Sequence, residues 1–235
     1  MSWQLAAFSL LALALAGGAG WYERTRPSAK LVALVATLGA FAALGRIAFA
    51  PLPNVKPTTD IVLVTGVALG GAPAFVVGAV AALASNLFFG QGYWTPWQML
   101  GWGLVGLGGA ALGRLTRRHP NRVVLALAGA VAGMGFGAIM NLSTWVGFSE
   151  HSIDAYLAMA GSALPFDIAH AVGNVLFALA FGPALLRAIA RFRERFEITW
   201  RPSAASAGVP LAVVLAVALA AVSYTHLTLP TTPYV

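Results

Sequence analysis

The sequence contains no cysteine, which excludes disulfide bonds and thiolate metal sites. Charged residues are also scarce: they make up 9% of the 235 residues, whereas hydrophobic residues make up 59%. In a soluble domain roughly a quarter of the residues are charged, because large apolar patches would otherwise face water. The composition therefore excludes an ordinary soluble domain and predicts an all-α integral membrane protein, for which lipid is the solvent.

Basic residues outnumber acidic ones and give a formal net charge of +7, which raises the question of a nucleic-acid partner. They lie in short clusters between apolar runs, and aromatic residues do not interleave with them as on a nucleic-acid interface. We therefore expect no nucleic acid among the partners. None of the four histidines belongs to a His-Glu-x-x-His pattern. We expect no metal, no cofactor and no catalytic residue.

Apolar runs long enough to cross a membrane recur along the chain, since a hydrocarbon core about 30 Å thick needs roughly 20 helical residues. One run is too long for a single helix, and Gly70, Gly71 and Pro73 interrupt it, which predicts two helices at residues 60–69 and 73–89. The first of these is short, so we expect it to be tilted or sheltered by neighbours. Further helices are predicted at residues 3–20, 31–50, 97–113, 123–140 and 168–189, and an eighth begins at 209–222.

The distribution of lysine and arginine predicts the orientation. With the N-terminus outside, twelve of the fourteen basic residues lie in inner segments, and only Arg46 and Lys56 lie near the outer face. Basic loops remain cytoplasmic, so we expect a multi-pass protein of a prokaryotic plasma membrane. No basic residue precedes the first apolar run, whereas Arg24, Arg26 and Lys30 follow it, which favours an uncleaved helix over a cleaved signal peptide.

The chain divides into four predicted parts. Residues 1–28 form an extra transmembrane helix, residues 29–200 a six-helix membrane core, and residues 201–221 a linker with the start of a further helix. Residues 222–235 depart abruptly in composition and resemble the translation of a transposase-type sequencing adaptor. We expect this tail to be non-native and the natural chain to continue past the eighth segment, so the tail does not enter the interpretation of the fold.

Three predicted outer loops carry an unusual share of the polar and aromatic residues. In the first, residues 51–59, prolines stiffen the chain, and Thr58, Thr59 or Asp60 can cap the next helix. Asp60 is either such a cap or a ligand contact. The second loop, residues 90–96, has amides beside aromatic rings, which suits a flat polar heterocycle, although an interfacial aromatic belt is the alternative. The candidate substrate-binding residues of these two loops are Asn54, Asn86, Gln91, Tyr93, Trp94, Trp97 and Gln98.

The third loop, residues 141–166, leads into a helix that carries Asp167, His170 and Asn174. Their spacing of three and four residues puts them on one helix face. Polar groups in a membrane helix usually face a bundle interior or a cavity. His170 and Asn174 are therefore candidate wall residues of the site, and hydrogen bonding between helices is the alternative explanation.

Four short segments of the chain stand out together: Gly45-Arg46-Ile47, Pro53-Asn54-Val55-Lys56-Pro57, Ser85-Asn86-Leu87-Phe88-Phe89-Gly90-Gln91-Gly92 and Trp94-Thr95-Pro96-Trp97-Gln98-Met99. They resemble the substrate-binding S-components of energy-coupling factor (ECF) vitamin transporters. The resemblance covers about residues 31–195 and implies a six-helix bundle that binds a micronutrient from outside. The cobalamin-type branch is the most similar, which makes cobalamin the best candidate for the ligand.

The resemblance also implies partners, namely a transmembrane coupling protein and two ATPase subunits, beside which the S-component topples to release its ligand inside. In the family an alanine-x-x-x-alanine patch on the first core helix contacts the coupling protein, and Ala36 and Ala40 match it. Small residues four apart let another helix approach closely. The chain has no Gly-x-x-x-x-Gly-Lys-Ser/Thr phosphate loop, so partner subunits would have to supply any ATP-driven work.

Three other functions remain open at this point. The first is a stand-alone carrier driven by an ion gradient, although no internal repeat of the kind common in such carriers is evident. The second is a membrane enzyme that uses Asp167 and His170, and the third is a membrane scaffold without a ligand. Vitamin binding that persists without ATP would separate the S-component interpretation from an empty scaffold.

The orientation is directly testable with reporter fusions. We expect reporters placed near Arg118 and Arg193 to be cytoplasmic and a reporter near Tyr93 to be external, because basic loops are retained inside. Alkaline phosphatase and fluorescent-protein fusions would report the two sides. A cytoplasmic reporter at Tyr93 would overturn the assignment of the outer loops.

Overall fold

The computed structural model describes residues 3–195, and within them it consists of helices with no strand. The prediction of an all-α protein is confirmed for this part of the chain. The predicted eighth segment and the tail at 222–235 lie outside the described residues. The helices are α1 (Trp3–Arg24), α2 (Ala29–Ala48), α3 (Thr58–Leu69), α4 (Gly71–Phe89), α5 (Trp94–Leu115), α6 (Arg122–Phe148) and α7 (Ile153–Arg195).

Four of these helices, α2, α4, α6 and α7, are long and apolar enough to cross a membrane. Their length and composition indicate a membrane-embedded protein, as the sequence predicts. The shorter helix α3 is also apolar. Membrane crossing by α1, α3 and α5 and an S-component arrangement of α2–α7 stay predictions.

The predicted break between α3 and α4 is confirmed at Gly70. This residue ends α3 with a φ of 98° and is followed directly by α4. Such a positive φ is accessible to glycine at little cost because glycine has no Cβ. The chain reverses there without a loop, and Pro73 lies in the first turn of α4, where a missing N–H costs no intrahelical bond.

Helix α3 lies at the centre of the bundle, and all twelve of its residues are buried. It packs against α2, α4, α5, α6 and α7. The expectation that this short helix is sheltered by neighbours is confirmed. Its C-terminal end is held by two arginines, since Arg118 and Arg193 each donate to the carbonyl oxygen of Ala68, at 2.6 and 2.8 Å. Cations at this end also interact favourably with the helix dipole.

Glycines let α3 and α5 approach almost to backbone contact. A Cβ on Gly66 would lie 2.2 Å from the carbonyl oxygen of Gly106, and a Cβ on Gly109 would lie 2.1 Å from that of Leu63. Helices in membranes associate through such small residues because packing, not exclusion of water, holds them together.

Two sequence predictions are wrong in this region. The third outer loop is not residues 141–166: α6 continues to Phe148 and α7 begins at Ile153, which leaves residues 149–152 as the loop. Hydropathy finds only the segment that matches the hydrocarbon, whereas these helices extend beyond it. The predicted side-chain cap of α3 is also absent, because Pro57 occupies the N-cap and Thr58, Thr59 and Asp60 lie inside the helix.

Replacing Gly109 by alanine tests the close approach of α3 and α5. Because the new Cβ would meet backbone that a rotamer change cannot move, we expect a loss of about 1–3 kcal/mol in the free energy of unfolding. The matched control is Gly108→Ala, where nothing lies within 4 Å of the added Cβ. Unfolding in detergent by heat or denaturant measures both variants, and equal stability of the two would contradict this packing.

Candidate binding cavity

A cavity of about 300 Å³ lies at the end of the bundle where α2 ends and α3 begins. Its wall contains the aromatic rings of Trp102, Phe136 and Phe166. The hydrogen bond from Asn54 Nδ2 to the carbonyl oxygen of Phe166, at 3.1 Å, joins the α2–α3 loop to α7. The charged and polar residues in the wall are Arg46, Asn54, Lys56, Gln98, Asn141, Asp167 and His170.

Arg46, in the last turn of α2, is held in a fixed position at the cavity. Its Nη1 donates to the hydroxyl of Ser85 at 2.7 Å and to Oδ1 of Asn86 at 2.6 Å. The guanidinium carbon lies 4.6 Å from the centre of the Phe89 ring and 5.1 Å from that of Trp102. Contacts of this kind with aromatic faces stabilise a cation. They also restrict the conformations open to the side chain.

Lys56 provides the second positive charge of the cavity, from the α2–α3 loop. Its ammonium group donates to three backbone carbonyl oxygens, those of Phe49, Ala50 and Leu52. Burial lowers the pKa of Lys56, and the positive charge of Arg46 lowers this pKa further. The three donors of the ammonium group are thus engaged in holding the loop.

A hydrogen-bonded group of three side chains connects α3, α5 and α7 beside the cavity. Trp102 Nε1 donates to Thr59 Oγ1 at 3.1 Å, and the same oxygen lies 2.8 Å from His170 Nε2. Phe136 completes the group, with its ring stacked on Trp102 at 4.5 Å and edge-on to His170 at 5.5 Å. The position of His170 is therefore set by Thr59 on α3 and Phe136 on α6.

Asp167 supplies the negative charge of the cavity. Its Oδ2 accepts from Asn141 Nδ2 at 3.1 Å, which joins α7 to α6. The Asp167 side chain fits against α6 because residue 137 of that helix is glycine. A Cβ at this position would lie 2.2 Å from Asp167 Oδ1. No lysine or arginine lies within ion-pair distance of Asp167 among the described residues.

The structure brings three of the nine predicted binding residues into the cavity wall, namely Asn54, Gln98 and His170. The remaining six lie elsewhere, and their surroundings explain what they do instead. They are Asn86, Gln91, Tyr93, Trp94, Trp97 and Asn174.

Asn86 lies one layer behind the wall and is completely buried. Its Oδ1 accepts from Arg46, and its Nδ2 donates to Thr95 Oγ1 at 2.9 Å and to Gln98 Oε1 at 2.8 Å. Gln91 binds the backbone oxygen of Leu83 at 2.9 Å and accepts from the Thr95 hydroxyl at 3.0 Å. These two amides therefore position Arg46, Gln98 and the α4–α5 turn.

The aromatic residues of the α4–α5 region pack with one another rather than line the cavity. Tyr93 contacts Trp94 and Phe148 edge-on, with ring centres 5.1 and 4.7 Å apart. Trp97 is buried, and its Nε1 has no hydrogen-bond partner within the described residues.

Asn174 lies deeper in the bundle, where its Nδ2 donates to the carbonyl oxygen of Gly129 at 2.9 Å. This bond joins α7 to α6. It agrees with the alternative given above for Asn174, a hydrogen bond between helices. Its Oδ1 and both carboxylate oxygens of Asp60 are buried without a partner within residues 3–195. Both side chains reach the same glycine, since a Cβ on Gly129 would lie 2.8 Å from Asp60 Oδ1 and 3.3 Å from Asn174 Cβ.

Arg46 and Lys56 are the cavity residues that the sequence analysis missed as binding candidates. A signal for them was present, because they are the two basic residues that depart from the positive-inside pattern. Thr59 and Asn141 lie in predicted outer loops, which was a weak signal. Trp102 and Phe136 carried none, since they lie in apolar helical segments and meet the other cavity residues only in the folded chain.

Comparison with known proteins gives one family and one distant relative. The model of a family of unknown function, DUF6580, matches residues 24–195. A UPF0397 protein of Vibrio atlanticus (strain LGP32) is 29% identical over an alignment that covers 48% of this chain and 71% of the relative. No solved structure matches the chain.

Proposed function

Because this chain belongs to DUF6580, whose description assigns no activity, we propose a function from the cavity itself: the chain is the substrate-binding membrane subunit of an ATP-driven importer of a vitamin-like molecule. It captures its ligand from outside and releases it inside with a coupling protein and two ATPase subunits. The observation that carries the proposal is a cavity with charged, amide and aromatic walls at one end of an apolar helical bundle.

Binding explains this cavity better than catalysis. Thr59 and His170 form a hydroxyl–imidazole pair, but the hydroxyl already accepts from Trp102, and no third group orients the imidazole through its Nδ1 among the described residues. A nucleophile and base without an orienting group lack the usual catalytic arrangement. The other polar side chains of the cavity wall are amides and charged groups, which can bind a ligand by direct hydrogen bonds.

The volume of the cavity favours a small vitamin over cobalamin. About 300 Å³ lies at the lower end of the range for small-molecule sites. Cobalamin combines a corrin macrocycle with a nucleotide loop, so its binding would require α6 and α7 to separate from the α2–α3 loop. A single-ring or double-ring vitamin needs no such opening.

The exposed face of α2 supports a partner interface. Ala36 and Ala40 are both exposed to the lipid side, on the face that also carries Phe41 and Leu44. Neither alanine is buried against the other helices of the bundle, so the small-residue patch is accessible to a helix of a second protein.

A second candidate function is an ion-coupled carrier, and the buried oxygens of Asp60 and Asn174 favour it. A buried carboxylate without a partner is costly in a membrane unless a proton or a cation neutralises it. The importer proposal requires no ion at this position. Dependence of ligand affinity on sodium, lost in Asp60→Asn, would favour the carrier.

The function is tested by equilibrium binding of a vitamin panel to the purified protein without ATP. For the vitamin that binds, we expect Gln98→Ala to lower the affinity by about tenfold, because a hydrogen bond to a ligand contributes about 1 kcal/mol or more. Asn121→Ala is the matched control, since Asn121 is an exposed amide at the start of α6 that does not line the cavity, and we expect it to leave the affinity unchanged. A correctly folded protein that binds no panel member would refute the proposal.

The partner face is tested by replacing Ala36 and Ala40 together with tryptophan. Bulk on this face should block assembly with the coupling protein and abolish uptake, while ligand affinity stays within twofold or so of the parent. The matched control is tryptophan at Val172 and Leu176, an exposed pair with the same spacing on α7. Normal uptake by the α2 variant would place the interface elsewhere.

A further inference from the structure

The charges in the cavity are not balanced by the protein. Arg46 and Lys56 contribute two positive charges to the wall and Asp167 one negative charge. Neither Arg46 nor Lys56 forms an ion pair with a carboxylate within residues 3–195. Ionised side chains in such a setting are expensive unless something of opposite charge approaches them.

The two cations differ in what they can still bind. All three donors of Lys56 are directed at backbone oxygens. Arg46 uses only Nη1, whose two hydrogens go to Ser85 and Asn86. Its Nε and Nη2 have no partner among the described residues, so one edge of the guanidinium retains parallel donors. That edge matches the two oxygens of a carboxylate.

Asp167, in the same wall, has the complementary property. It accepts a single hydrogen bond, from Asn141, and a carboxylate can accept several more. Asp167 would therefore accept from an N–H or O–H group of a ligand and would repel an anionic group. The wall also contains the apolar rings of Phe136 and Phe166.

We infer that the ligand of this cavity is a small molecule that carries both a carboxylate and a separate hydrogen-bond donor. The carboxylate binds the free edge of Arg46, and the donor binds Asp167. This inference rests on the proposed function and names the substrate class of the same cavity. Asn86 and Ser85 act as positioning residues, because they fix the guanidinium and leave its other edge open.

The test compares acids that also carry a hydrogen-bond donor with uncharged twins of the same skeleton: biotin with biotinamide, and pantothenate with pantothenol. For the pair that binds, we expect the acid to bind about 10- to 100-fold more tightly than its twin, as for hydrogen bonds to charged groups. Arg46→Gln should remove most of that difference, because it weakens the acid far more than the twin. Arg46→Lys, which keeps the charge but loses the paired donors, should restore only part of it.

Two controls separate the possible failures. Arg187→Gln removes an exposed charge outside the cavity and should leave both affinities unchanged. Lys56→Gln loosens the loop and removes a charge that is not directed at the ligand, so it should weaken both acid and twin and reduce the selectivity less than Arg46→Gln does. Two outcomes would overturn the inference and leave vitamin binding intact. In the first, the parent protein binds acid and twin equally well. In the second, the selectivity for the acid is lost in Lys56→Gln but kept in Arg46→Gln. Binding of no compound of the panel would instead overturn the proposed function.

Discussion

The burial of α3 is the constraint on which the rest of the structure depends. A helix of twelve residues spans about 18 Å, which is less than the thickness of a hydrocarbon core, so its ends cannot reach water on both sides. The protein must therefore satisfy its polar groups, and within the described residues it leaves the two carboxylate oxygens of Asp60 without a partner. Arg118 and Arg193 provide for the C-terminal carbonyl of Ala68, and Thr58 donates to the carbonyl oxygen of Ala42 at the other end. This requirement explains why five other helices pack around α3.

The same constraint generates the cavity. Because α3 begins inside the bundle, the α2–α3 loop folds over its N-terminal end and brings Asn54 and Lys56 against α7. Thr59, in the first turn of α3, then meets Trp102 and His170 from the flanking helices. The polar N-terminal end of this short buried helix thus lies beside the cavity.

The residues that gave the sequence its resemblance to vitamin-binding proteins mostly act one layer away from the cavity. Asn86, Gln91 and Thr95 form a network that holds Arg46 and Gln98, and Tyr93 and Trp94 pack with Phe148. Such a supporting layer restricts the motion of the side chains that face a ligand, which reduces the entropy lost on binding. The motif is therefore compatible with a binding site even though few of its members line the cavity.

The sequence by itself determined the helical class, the break at Gly70, the approximate position of each described helix and the asymmetry of basic residues, because these depend on hydropathy and on the local chemistry of glycine and proline. It also predicted Asn54, Gln98 and His170 as binding residues, and these three line the cavity. The tertiary structure alone decided that α6 and α7 extend through the predicted third loop, and that Asn86 and Asn174 join helices. It also decided that Arg46, Lys56, Asn141 and Asp167 share one cavity. These residues are up to 121 positions apart in the sequence. Which side chains meet depends on the rotation and depth of each helix, and these are set by close packing at glycines such as Gly66 and Gly109, which periodicity does not encode.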